Sequence, residues 1–151
     1  MEKPLNKIID RGNDPTGFGH FGAKRGYRNG KPRYHIGHDL VSIPNEPVYS
    51  MIDGIITKYG YMYANALQFR YLEVTNKNYR IRLCYIEKHN LFKEGMEVCA
   101  GDRFAFAQDI AKYHNRNKKG KKQNLMLNHI HVEMYKNGKL IDPNIYLKNL
   151  K

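Results

Sequence analysis

His129-Ile130-His131-Val132-Glu133 alternates polar and apolar residues. A period of two predicts a β-strand, on which side chains two apart share a face. His129 and His131 then stand side by side, with Ile130 and Val132 turned toward a core. Neutral imidazole is a preferred zinc ligand, so the pair offers half of a transition-metal site. A catalytic zinc takes three protein ligands and keeps one position open. The best partners for the pair are His35 and Asp39. Four positions apart in an extended or gently turned segment, they can share a face, and Gly37 between them lets the backbone bend. One strand histidine with His35 and Asp39 makes a His, His, Asp set that suits one Zn2+ ion. The other is left beside the metal for proton transfer.

The elements that must position these residues read as short strands. Asn13 to Gly17 is a turn closing a leader over 1–16, and the domain proper runs over 17–151. Four glycines within residues 17–26 argue against a helix, and Phe18 and Phe21 are expected to anchor that loop to the core. Pro47-Val48-Tyr49 reads as a strand entry, and Asp53-Gly54 as a hairpin signal before Ile55-Ile56-Thr57. Residues 69–75 and 79–86 alternate and are joined by Asn76-Lys77-Asn78. Met96-Glu97-Val98 and Phe104 to Ala107 follow as further strands. The one helical stretch lies near Asp109 to His114. The expected fold class is all-β, an antiparallel sheet with little helix.

The 151 residues carry a formal net charge of +12 and are 41% hydrophobic, which excludes a disordered chain and favours an anionic partner. Cys84 and Cys99 do not make a disulfide scaffold and are expected as two buried thiols. No stretch resembles a signal peptide or approaches the roughly 18 apolar residues of a membrane span, so synthesis in the cytoplasm is expected. Residues 112–124 form a basic loop, expected to be solvated or to clamp an anionic polymer. His114 within it is expected in solvent. His38, one residue from Asp39, should point to the opposite face, and His20 is given no direct role.

In order and spacing, five elements resemble the M23 peptidases, the LytM/lysostaphin-like zinc endopeptidases of peptidoglycan. They are Phe21-Gly22-Ala23-Lys24-Arg25; His35-Ile36-Gly37-His38-Asp39-Leu40; Pro47-Val48-Tyr49 with Asp53-Gly54; Gly95-Met96-Glu97-Val98-Cys99-Ala100-Gly101-Asp102; and His129 to Glu133 followed by Asn137-Gly138 and Asp142-Pro143. The resemblance implies a barrel-sandwich hybrid of the lysostaphin type. It implies that His35, Asp39 and His131 hold zinc and that His129 is a catalytic histidine beside it. It leaves substrate-binding residues unassigned.

The chain departs from that pattern twice. Active members carry a second histidine in a Tyr-x-His element, and here the region reads Cys84-Tyr85-Ile86, with the nearest histidine at His89. Either Tyr85 takes the histidine's place as a hydrogen-bond donor, or His89 reaches in from the following loop, or the protein keeps its metal without turnover. The Tyr85-Ile86 pattern is similar to a leukocyte-chemotaxin branch of the fold and to phage structural members. Secondly, the basic loop replaces a short turn before the His-x-His strand. The implied function is zinc-assisted hydrolysis of a peptide bond in peptidoglycan, phage-encoded and virion-associated, with the wall or another anionic polymer and other tail proteins as partners. The alternative is a weak or inactive structural or wall-binding module that retains the metal. A basic nucleic-acid binder leaves the matched elements unexplained and lacks aromatic residues interleaved with its lysines.

Overall fold

The computed structural model describes residues 1–118, 120 and 125–151. In chain order the elements are β1 (Asn13–Asp14), β2 (Gly17–Phe18), β3 (Lys24–Arg28), β4 (Lys31–Tyr34), β5 (His38–Val41), β6 (Pro47–Tyr49), β7 (Gly54–Tyr61), β8 (Arg70–Thr75), β9 (Tyr79–Cys84), β10 (Ile86–Lys88), β11 (Glu97–Val98), β12 (Arg103–Ala107), α1 (Ile110–Asn115), β13 (His129–Lys136), β14 (Lys139–Ile141) and α2 (Asn144–Leu147). All pairings are antiparallel, as the all-β expectation has it, and no barrel closes among the described residues.

A seven-stranded sheet runs β11-β7-β8-β9-β13-β14, with β5 as its seventh strand paired to β13. The other edge of β13 is shared: β5 pairs with its first half and β14 with its second. A second sheet, β10-β12-β6, lies apart from the first in hydrogen bonding. The tight turn at 76–78 joins β8 to β9 as the alternation suggests, because the Asn76 side-chain oxygen accepts from the Asn78 and Tyr79 N–H groups. Asn137 and Gly138 both take positive φ, 49° and 79°, which gives the β13–β14 hairpin a twist matching its strands. The hairpin expected at Asp53-Gly54 does not form. β6 belongs to the smaller sheet and β7 to the larger, so the segment is a crossing between sheets.

Leu40, Val48, Ile56, Leu72, Leu83, Ile130 and Val132 belong to one buried core. Burying an aliphatic side chain of this size stabilises by about 1.5–3 kcal/mol. Ile130 and Val132 face this core, as the period-two pattern demands. The segment expected as a leader also packs here. Leu5 and Ile8 are buried, the Val41 N–H donates to the Ile9 carbonyl, and the Arg11 N–H donates to that of Asp39. A smaller cluster of Ala66, Phe69 and Ile110 takes Tyr63, Tyr85 and Tyr113 against it. Phe18 is 49% exposed and does not anchor its loop, because the loop is held instead through Gly19, packed on Arg11 and Asp39. Cys84 is buried, but Cys99 is exposed in the turn after β11, where its N–H donates to the Asp102 carboxylate. No helix among the described residues is long and apolar enough to cross a membrane.

Candidate metal centre

Strand register brings the first pair of candidate ligands together. His131 on β13 is directly opposite Asp39 on β5, so both side chains leave the same face of the sheet. The His131 Nδ1 lies 2.9 Å from Asp39 Oδ1. His35, just before β5, brings its Nε2 to 2.9 Å from His131 Nδ1 and 3.2 Å from Asp39 Oδ1. All three are buried. Gly37 makes this approach possible for a reason other than bending. Its φ is not positive, but a Cβ there would lie 2.4 Å from His131 Cε1 and 2.5 Å from the Val132 carbonyl oxygen.

The outer partners of the two rings favour the tautomers that a metal needs. The His35 Nδ1–H donates to the His20 carbonyl at 2.9 Å, so its Nε2 carries a lone pair. The His131 Nε2–H donates to Glu133 Oε1 at 3.2 Å, so its Nδ1 carries one too. In those tautomers two imidazole lone pairs and a carboxylate oxygen converge on one point, which a metal ion or, without one, a proton can occupy. Three buried acceptors so close repel unless a cation sits among them. A tetrahedral zinc with bonds near 2.0 Å places its ligand atoms about 3.3 Å apart, close to the spacing found here. The donor set thus fits zinc. The same demand for positive charge shows in the acid–base balance. Burial opposes charge on His131, but its hydrogen bonds to Asp39 and Glu133 push it up to about 9. Burial likewise opposes ionisation of Asp39, yet in the absence of a metal the proton that takes its place on the facing imidazoles bonds to the carboxylate and holds it well below the usual range.

A second group, Cys84, His131 and Glu133, also brings ligand atoms together. Burial pushes the Cys84 thiol up, against the thiolate a metal needs, and Glu133 is occupied by His131 and by Arg82 at 3.6 Å. Neither Cys84 nor Glu133 opens onto the cleft, whereas His35, Asp39 and His131 line it.

That cleft encloses about 250 Å³. His129 lines it beside the ligands, with its Nδ1–H donating to the Leu127 carbonyl at 2.8 Å. Its Nε2 lone pair faces the site, 3.7 Å from Asp39 Oδ2. Burial lowers its proton affinity more than the Asp39 charge restores it, so the ring is kept neutral. Tyr85 follows β9 and also lines the cleft, its ring edge-on to His129 at 5.5 Å between centroids. His89 is elsewhere: it stacks on Phe106 and does not reach the cleft. His38 turns away from the ligands, as expected, and meets Asp10 at 2.9 Å. The His20 ring is exposed, and only its carbonyl serves the site.

His114 departs from expectation. It lines the cleft at the C-terminal half of α1, near the rings of Tyr63 and Tyr113, because the helix folds back over the small core instead of standing in solvent. Of the basic loop, Lys119, Lys121 and Lys122 lie outside the described residues.

Four residues that shape the site escape the sequence reading. Arg11 sets its Nε 3.2 Å from Asp39 Oδ2 and its Nη1 2.9 Å from Asp14. Asp14 in turn accepts from the Leu127 N–H at 3.1 Å, two residues before His129. Nothing in the sequence marks either, since both arrive from the N-terminal segment through tertiary packing. Tyr63 is equally unmarked. Glu133 did carry a signal: it stands two after His131, so period-two alternation places it on the ligand face.

No family model matches the sequence, and no curated protein matches it. Solved structures do. A zinc-containing peptidase from Vibrio cholerae matches at 24% identity and TM-score 0.59 over 90% of this chain and 39% of that one. The catalytic domain of the antimicrobial peptidase lysostaphin from Staphylococcus simulans matches at 20% identity and TM-score 0.59, over 85% of this chain and 89% of that domain. LytU matches at 19% and 0.59, over 95% and 88%. The chain spans well under half the length of the Vibrio protein, and most of the lysostaphin domain. It has the LytM/lysostaphin-type fold.

Proposed function

We propose that the protein is a zinc metalloendopeptidase that hydrolyses peptide bonds in peptidoglycan stems or cross-bridges. The observation that carries this reading is the convergence of His35 Nε2, Asp39 Oδ1 and His131 Nδ1, three acceptors that need a cation, on the wall of an open cleft. Zinc held there supplies Lewis acidity, polarising a scissile carbonyl and making water a better nucleophile.

The chain's own residues supply the rest. His131 keeps its Nδ1 lone pair directed inward because Glu133 holds the opposite ring proton, and Arg82 braces Glu133. His35 is set in the same way by the His20 carbonyl. His129, neutral and with its free Nε2 in the cleft, takes a proton from the attacking water and returns it to the leaving amine. Tyr85 cannot act as the base, because burial pushes its phenol further above its ordinary value of 10. It stays protonated and donates to the carbonyl oxygen as charge develops there. Arg25 lines the same cleft and adds positive charge. The chain's charge of +12 suits a polyanionic wall.

One observation favours a second reading, a wall-binding module that retains the metal without turnover: beside His129 the cleft is lined by Tyr85, in the segment where the resemblance leads one to expect the second histidine. The resemblance of that segment to phage structural members favours delivery with a virion, which detection of the chain in purified particles would test. Incubating zinc-loaded protein with purified sacculi separates the two readings. The enzyme releases muropeptides with new amino termini; intact stems and cross-bridges after prolonged incubation would leave only the module.

A further inference from the structure

We propose that Tyr63 and Tyr85 act as a pair, with Tyr63 a positioning residue that orients the Tyr85 hydroxyl as the hydrogen-bond donor for the reacting carbonyl oxygen. This rests on the hydrolase reading above.

The two phenol oxygens are 2.8 Å apart, and both residues line the cleft that holds the ligands. Two hydroxyls bring two protons, and the bond between them uses one. One proton remains for a third partner. Tyr85 is the member packed against His129, so the arrangement that serves the reaction has Tyr63 donating to Tyr85 and Tyr85 donating into the cleft. A donor that itself accepts a hydrogen bond is polarised into a better donor. Burial pushes both phenols up, which keeps both protons in place.

The backbone supports a dedicated role. Tyr85 has φ 62°, the left-handed region where a bulky residue is strained and where glycine or asparagine is the easy choice. The surroundings hold it there. Its carbonyl accepts from the Gln108 N–H at 2.9 Å, and the Gln108 side chain is anchored in turn, accepting from the Arg70 N–H. The small core of Phe69 and Ile110 packs under both tyrosine rings. Strain that persists under such support marks a side chain needed at that position. The helix that opens the insert before β13 thus has a use: Ile110 buttresses the pair.

The test compares zinc-loaded wild type with Tyr85→Phe and Tyr63→Phe, which keep the rings in the small core. Three quantities are read: metal content, kcat and KM on a soluble cross-bridge peptide, and affinity for a phosphinate analogue of that peptide, whose tetrahedral anion mimics the charged oxygen. The pair predicts unchanged metal content and melting temperature in both variants. Tyr85→Phe loses about 100-fold in kcat with little change in KM. Tyr63→Phe loses about tenfold. Both weaken phosphinate binding while leaving the affinity for the substrate peptide unchanged. Unchanged kcat and phosphinate affinity in Tyr85→Phe overturns the donor role. A Tyr63→Phe variant equal to wild type overturns the pairing. If the wild type cleaves nothing, the hydrolase reading fails, and the phosphinate affinities alone decide whether the pair binds an oxyanion.

Discussion

The two sides of the cleft are built by different means. On one side, Asp39 and His131 are cross-strand neighbours, and His35 joins them across a glycine that admits no side chain. Strand geometry does the positioning, and every ligand's far atom has a partner: His20, Glu133 or Arg11. On the other side, Tyr85 and Tyr63 stand outside the regular strands, in strained or irregular backbone, held by Gln108 and a core of a few residues. The ligand side should therefore fail through electrostatics and sterics. The tyrosine side should fail through loss of support, with the metal left in place.

The largest effect should come from Asp39→Ala. It removes a proposed ligand and leaves the buried Arg11 guanidinium without one of its carboxylates, a loss of about 3–5 kcal/mol. Chemical denaturation together with metal analysis should show a destabilised protein without stoichiometric zinc. Wild-type stability in this variant would mean that the Arg11–Asp39 contact carries no weight.

Gly37→Ala comes next. Its Cβ cannot fit beside His131 Cε1 and the Val132 carbonyl, so the strands must part, at about 1–3 kcal/mol. Zinc affinity should fall with stability, and a thermal melt combined with a zinc titration would reveal an uncoupling of the two. Ile110→Val probes the opposite side. Removing one methylene should cost about 1 kcal/mol, and cleavage should drop while metal content stays at one ion. If zinc is lost as readily as turnover, the two sides are not independent.

The smallest effect concerns Asp14. Burial alone would raise its carboxyl, but hydrogen bonds from the Thr16 hydroxyl and the Leu127 N–H, with the Arg11 charge, lower it overall. A folded value below the unfolded one means stabilisation that is complete above about pH 4 and lost as pH falls through the folded value. Urea unfolding of wild type and Asp14→Asn should therefore differ near neutral pH and converge in acid. A gap that widens in acid would contradict this sign.

The same division explains what could be read from the sequence. Strand alternation has a period of two, so Ile130 and Val132 point to the core and His129 and His131 to one face without any knowledge of the partners. His35 and Asp39 followed from spacing, although Gly37 serves clearance for His131 and not bending. Turn chemistry at Asn76 and at Asn137-Gly138 is local and was equally legible. Tyr63 and Arg11 were not, because they reach the site through tertiary packing that leaves no periodic trace. Asp53-Gly54 misled for a related reason: a good turn dipeptide does not say whether the following strand stays in the same sheet.

X-ray absorption at the zinc edge tests the central claim most directly, because the two possible ligand groups share His131 and differ in sulfur. The expected spectrum shows one ion per chain with only nitrogen and oxygen neighbours at about 2.0–2.2 Å, as His35, Asp39 and His131 require. A sulfur neighbour at about 2.3 Å would place the metal with Cys84 and Glu133 and contradict it.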